Sequence, residues 1–158
     1  MRIIADRPKG ILTVDNTVCF PISNRVRTLR DRTRRSDEVV RTIPGNLPYD
    51  PMPFPSGVWK ITGVEWQEDI GFDYNVYGPV KIRTNAWQWV NVWELDEDGD
   101  YLRKRGDEVK DHGYLLHFSV SATTLGCIRL ASPQDAKTIG KLIAKALKNG
   151  ESVELEVI

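Results

Sequence analysis

Apolar and polar residues alternate with a period of two near both ends of this chain, and follow a helical period in a single stretch between them. Ile11-Leu12-Thr13-Val14 and Thr17-Val18-Cys19-Phe20-Pro21-Ile22 read as short strands joined at Asp15-Asn16, residue types that tolerate left-handed backbone. Strand patterns return over residues 57 to 66, 80 to 83 and 86 to 95. In the last of these, Trp87, Trp89, Asn91, Trp93 and Leu95 share one face and Val90 and Val92 the other, which predicts a strand covered on both sides and central to the sheet. Asp98-Gly99 predicts a hairpin turn before Tyr101-Leu102.

The helical stretch begins at Ser132-Pro133-Gln134-Asp135. Ser caps the first turn, Pro suits its first position, and Asp opposes the positive end. Ile139, Leu142, Ile143, Ala146 and Leu147 form one apolar stripe, and Lys148-Asn149-Gly150 ends it with favourable charge and a left-handed cap. Val153, Leu155 and Val157 then alternate with polar residues, which predicts a half-buried final strand. The expected fold class is mainly β with one α-helix in the C-terminal half. Residues 24 to 52 differ in character. Seven arginines, Arg25 to Arg41, crowd the first part and prolines interrupt the rest. The segment reads as a long surface loop with a helical turn near residues 37 to 41.

Composition narrows the function class. A chain of 158 residues is expected to form one domain over residues 1–158. Lys+Arg and Asp+Glu both total 22, so no global field favours nucleic acid or an anionic membrane. The arginine-rich segment lacks aromatic interleaving, which argues against nucleic acid there too. No apolar run approaches the ~18–20 residues of a membrane span, and the first residues do not read as a signal peptide. Two cysteines do not make a disulfide framework. No Cys/His cluster has ligand spacing, and residues 96 to 100 fail the calcium-loop template, so neither metal nor cofactor is expected. A monomer is expected.

Chemistry concentrates in Tyr114-Leu115-Leu116-His117 and Gly126-Cys127-Ile128-Arg129-Leu130. A histidine ends an apolar run, and a cysteine follows a glycine at a turn. A thiol needs a base or a lowered pKa to act as nucleophile, and the chain has two histidines. His117 is the preferred base and His112, in Asp111-His112-Gly113, the alternative. The bland reading makes Cys127 a buried small hydrophobe and His117 a core histidine bonded to a backbone carbonyl. The amides of Gly126 and Cys127 would form an oxyanion hole. Arg129 would clamp a substrate carboxylate or pair with a loop carboxylate such as Asp135.

At these residues the chain resembles the L,D-transpeptidase (YkuD-type) catalytic domain family, in which a strand-ending histidine precedes a Ser-His-Gly-Cys-x-[Arg/Asn] signature. Here the signature reads Thr124-Leu125-Gly126-Cys127-Ile128-Arg129. The resemblance continues through Leu130 to Ala136 and the last strand, and upstream in Pro53-Phe54-Pro55-Ser56-Gly57-Val58-Trp59-Lys60-Ile61. Leu125 and Phe118 stand where the family usually has His and Gly, and the His-to-Cys spacing is short. The resemblance implies a β-sandwich and a cysteine acyl-transfer enzyme acting on peptidoglycan stem peptides, as L,D-transpeptidase or L,D-carboxypeptidase. In it, Cys127 is the nucleophile, His117 the base, and the third member a backbone carbonyl from Phe118 or Ser119. Arg129, Thr124 and Ser119 would contact substrate. Compact relatives of this kind occur among secreted antibacterial effectors and phage proteins, and such an enzyme would reach the periplasm or cell wall by export or by delivery. The same fold without activity, serving to bind wall, is the alternative.

Overall fold

The computed structural model describes residues 1–27, 42–43, 47–49, 51–67, 72–97 and 101–158. Eight strands close into a barrel: β1 (Arg2–Asp6), β2 (Ile11–Val14), β3 (Val18–Ser23), β6 (Gly57–Trp66), β7 (Val80–Thr84), β10 (Leu115–Phe118), β11 (Ile128–Leu130) and β12 (Glu154–Val157). Their order around the barrel is β1-β12-β6-β7-β10-β11-β3-β2. Two pairs are parallel, β1 with β12 and β10 with β11; the other six are antiparallel. All eight strands contribute to one apolar cluster, with Ile3, Leu12, Ile82, Leu116, Ile128, Leu130 and Leu155 fully buried.

Among the described residues, two helices accompany the barrel. The expected one, α2 (Pro133–Lys148), runs as the pattern predicts: the Ser132 hydroxyl accepts from the Asp135 amide at 3.0 Å, and Ala136, Ile139, Ile143 and Ala146 enter the core cluster. Gly150 closes it at φ +77°. The other, α1 (Phe72–Tyr77), is a short turn of helix that no apolar period announces. Among the described residues no helix is long and apolar enough to cross a membrane.

The β2–β3 hairpin turns through Asp15 and Asn16 at φ +46° and +56°, as their side chains suggest. By contrast, β8 (Gln88–Leu95) is not central. Among the described residues its strand partner is β9 (Tyr101–Asp111), in a two-stranded sheet outside the barrel. Val90 and Val92 are buried, with Tyr49 bridging to Val92, while Trp89 on the opposite face is 53% exposed. Alternating large apolar residues read as buried on both sides because the register with β9, which sets Lys104 and Lys110 beside the tryptophans, is a long-range property. The turn expected at Asp98-Gly99 lies outside the described residues, although the strands flanking it form a hairpin.

Residues 24 to 52 are more structured than a surface loop where they are described. Strands β4 (Thr42–Ile43) and β5 (Leu47–Pro48) pair, and Tyr49 is fully buried. Most of the arginines and the helical turn expected at residues 37 to 41 lie outside the described residues.

Candidate functional site

The parallel β10–β11 ladder sets Leu116 opposite Ile128, His117 opposite Arg129 and Phe118 opposite Leu130. Leu116, Ile128 and Leu130 face the core. The alternate positions face the other way, because side chains along a strand point to opposite sides. Across β7, His117 is also paired with Lys81, so Lys81, His117 and Arg129 form one registered row on the outer face. Cys127 directly precedes β11, on the same face, and its sulfur receives the Leu115 amide at 3.4 Å and lies 3.9 Å from the Gly113 carbonyl.

His117 Nδ1 lies 2.8 Å from the carbonyl oxygen of Phe118. A carbonyl only accepts, so this contact puts a proton on Nδ1, and in the neutral imidazole the lone pair is then on Nε2. The Tyr77 ring at the end of α1 meets the imidazole edge-on at 5.2 Å, and the Lys81 ammonium sits 4.1 Å above that same ring. Phe118 serves both neighbours. Its carbonyl fixes His117, and its ring carries the Arg129 guanidinium at 5.3 Å. Gly78 makes room for it: a Cβ there would stand 2.8 Å from the Phe118 Cβ.

The loop between the strands is held by polar side chains. Thr124 Oγ1 donates to the Cys127 carbonyl at 2.7 Å and receives the Gly126 amide at 3.3 Å. The Asn24 amide group donates to the carbonyls of Gly126 and Cys127, at 2.9 and 3.0 Å, and accepts from the Phe54 amide at 2.9 Å. Gly126 sits at φ +125°, and a Cβ on it would meet the Met52 carbonyl at 2.6 Å and the Tyr114 ring at 2.8 Å. Only glycine fits there, both conformationally and sterically.

Tyr114 is itself clamped. Its hydroxyl donates to Asp111 at 2.9 Å and accepts from Gln88 at 2.8 Å, while Gln88 also donates to the Pro53 carbonyl at 2.6 Å. Burial, and then the charge of Asp111, push the Tyr114 phenol well above its usual range.

The structure thus gathers Cys127, His117, Arg129, Gly126, Thr124 and Ser119 around one parallel ladder and the loop that joins its strands. Cys127 and His117 are each 4% exposed. Thr124 and Ser119 are buried and brace the loop: Ser119 accepts from the Ser121 amide through its hydroxyl and from Arg129 Nε through its carbonyl. Of the three residues expected to contact substrate, Arg129 is the more exposed, and its contacts are Ser119 and Phe118 rather than Asp135. His112 lies exposed between β9 and β10, with its neighbour Gly113 against the sulfur. Cys19 is exposed and Cys127 buried. Sequence reasoning missed Asn24, Tyr77 and Tyr114 as parts of the site. A lone Asn after a strand carries no signal of the three segments it joins. Among the described residues, no group of three His, Cys, Asp or Glu side chains could hold a metal ion.

No protein-family model matches the chain, and no curated protein matches it. Among solved structures, it is similar to that of Bdellovibrio bacteriovorus Bd1075, with 14% identity and a TM-score of 0.45. The similarity covers 99% of this chain and 46% of that one, so the chain spans less than half the length of that neighbour.

Two outcomes are expected of the clamps. Asn24→Ala takes the partner from the Gly126 carbonyl and the Phe54 amide, while the Cys127 carbonyl keeps its Thr124 bond, and should lower stability by about 1–3 kcal/mol, read from the urea midpoint. For Tyr114 the sign follows from its raised pKa. The stabilisation is complete below the unfolded value of about 10 and is lost as pH rises towards the folded value. Urea midpoints taken from about pH 8 to about pH 11 should therefore fall at the alkaline end, and fall less in Tyr114→Phe.

Proposed function

We propose that the chain is a cysteine acyl-transfer enzyme acting on the stem peptides of peptidoglycan, as an L,D-transpeptidase or L,D-carboxypeptidase. The observation that carries this reading is the His117 Nδ1 contact with the Phe118 carbonyl, on a strand laid beside the Gly126-Cys127 turn. An imidazole held in that tautomer offers Nε2 as base, and a cysteine one same-face position away on the neighbouring strand is the group it would serve. Same-face positions offset by two residues on paired strands are roughly 7–8 Å apart, a span that the reach of the imidazole and rotation of the thiol can close.

In the proposed reaction, Nε2 takes the proton of the Cys127 thiol and the sulfur attacks the carbonyl joining the third stem residue to D-Ala. The carbonyl carbon gains a bond to sulfur and loses its bond to nitrogen, and the imidazolium proton goes to the departing D-Ala amine. An amine or water then attacks the thioester carbon, gives its proton to His117 and releases the Cys127 sulfur. Backbone amides of the Gly126-Cys127 turn would receive the oxyanion, the Gly126 amide by leaving its 3.3 Å bond to Thr124. Arg129 would meet the substrate carboxylate. The β-sandwich form of the family belongs to the same proposal.

The burial of Cys127 and His117 favours a second reading, in which the fold binds wall and the cysteine only fills space. The exposed Cys19 is an internal reference for deciding between them. Under the enzyme reading, D-Ala release from a tetrapeptide-bearing muropeptide vanishes in Cys127→Ala and falls by about 10²–10⁴-fold in His117→Ala. Mass spectrometry of the products and of iodoacetamide-treated protein measures both properties. Unchanged muropeptide, with Cys127 alkylated only after unfolding while Cys19 reacts at once, would overturn the enzyme reading and favour the binding domain.

A further inference from the structure

The β8–β9 hairpin carries an aromatic face that the barrel does not use. Trp89 is paired with Lys110, Asn91 with Glu108 and Trp93 with Lys104. The Lys110 ammonium lies 4.3 Å from the centre of the Trp87 ring and 5.6 Å from that of Trp89, and the two indoles meet edge-on at 5.8 Å. Lys104 lies 5.9 Å from the Trp93 ring. The other face of β8 is closed by Tyr49 against Val90 and Val109. A hairpin with one face sealed and Trp89 exposed on the other, between half-buried Trp87 and Trp93, is laid out to present the Trp89 ring.

We propose that this face binds the β-1,4-linked strand of N-acetylated hexosamines to which stem peptides are attached. The proposal rests on the reading of the site as a stem-peptide enzyme and names the part of the substrate that the cleft does not hold. A pyranose ring has an apolar C–H face that stacks on an indole, and a rim of hydroxyl and acetamido groups for Lys110, Glu108 and Asn91. Charge argues for a sugar over other occupants. Glu108 offsets one of the two lysines, and a single net positive charge is not the basic groove that single-stranded nucleic acid needs. An apolar protein surface would strip water from three charged side chains and return no hydrogen bonds.

Continuity with the cleft argues the same way. Strand β9 ends at Asp111, and the Gly113 carbonyl lies 3.9 Å from the Cys127 sulfur. Gly113 follows Lys110 by three residues, at most roughly 10 Å of chain. The carbonyl that Cys127 would attack lies three residues along the stem from its sugar, again roughly 10 Å when extended. A sugar stacked on Trp89 beside Lys110 therefore delivers the reactive bond to the cysteine. On the cleft side, Gln88 ties the start of β8 to Tyr114, whose ring packs against Gly126.

The test uses the full chain carrying Cys127→Ala, with chitohexaose, which has no peptide, as probe. Calorimetry should show saturable binding that Trp89→Ala weakens about tenfold, the size of one lost stacking surface. Trp89→Phe should restore most of it. Trp89 is exposed, so its replacement leaves the circular dichroism spectrum unchanged. Absence of binding, equal affinity in Trp89→Ala, or tighter binding to an oligothymidylate than to chitohexaose would each overturn the proposal. The catalytic reading fails separately. Trp89-dependent binding of chitohexaose, without D-Ala release from a soluble tetrapeptide by the unmutated chain, supports the platform and removes the enzyme. Release from that tetrapeptide without chitohexaose binding does the reverse.

Discussion

The parallel pairing of β10 with β11 is the constraint on which the site depends. Parallel neighbours need a crossover, and such connections commonly take a dozen or more residues and a helix. Here residues 119 to 127 make the return without a helix. So short a path leaves its backbone groups near the core with no regular partners, and each must be satisfied individually. Thr124, Asn24, Arg129 and the bridge from Val26 to Thr124 do this. The return also brings the first residue of the turn's exit, Cys127, back beside Leu115 and leaves His117 two residues further along. Nucleophile and base candidates are thereby ordered by topology before any side-chain contact between them is considered.

Charge is arranged by the same register. Lys81 and Arg129 flank His117 on the two neighbouring strands, and Glu65 follows Lys81 on β6. Glu65 is engaged with Arg83, the next outward position on β7, while Lys81 lies over the Tyr77 ring and Arg129 over the Phe118 ring. Phe118 acts as a post: its backbone holds the histidine and its ring supports the arginine.

Local signals made much of this fold legible. The β2–β3 hairpin, β6, β7, α2 and β12 follow from alternation, caps and turn residues that act within a few positions. What escaped depends on partners far away in sequence. β1 gained its place from β12 at the other end of the chain, α1 is too short to show a period, and β8 was misjudged because its tryptophans are paired with lysines of β9. Cys127 and His117 stood out through residue type and spacing. Asn24, Tyr114 and Gln88 did not, because their roles lie in the segments they join.

One consequence concerns the order in which the chain is made. Strand β12 lies between β1 and β6, and the Ile158 amide bonds to the Ala5 carbonyl while the Met1 amine bonds to the Ser152 carbonyl. Strand β1 therefore keeps an unpaired edge until β12 has followed it. Until then the half-built barrel exposes Ile3, Ala5 and the other residues that later share the core. Closure is a late, long-range event with a high loop-closure cost. During synthesis the nascent chain carries an open apolar edge, the kind of surface that chaperones shield.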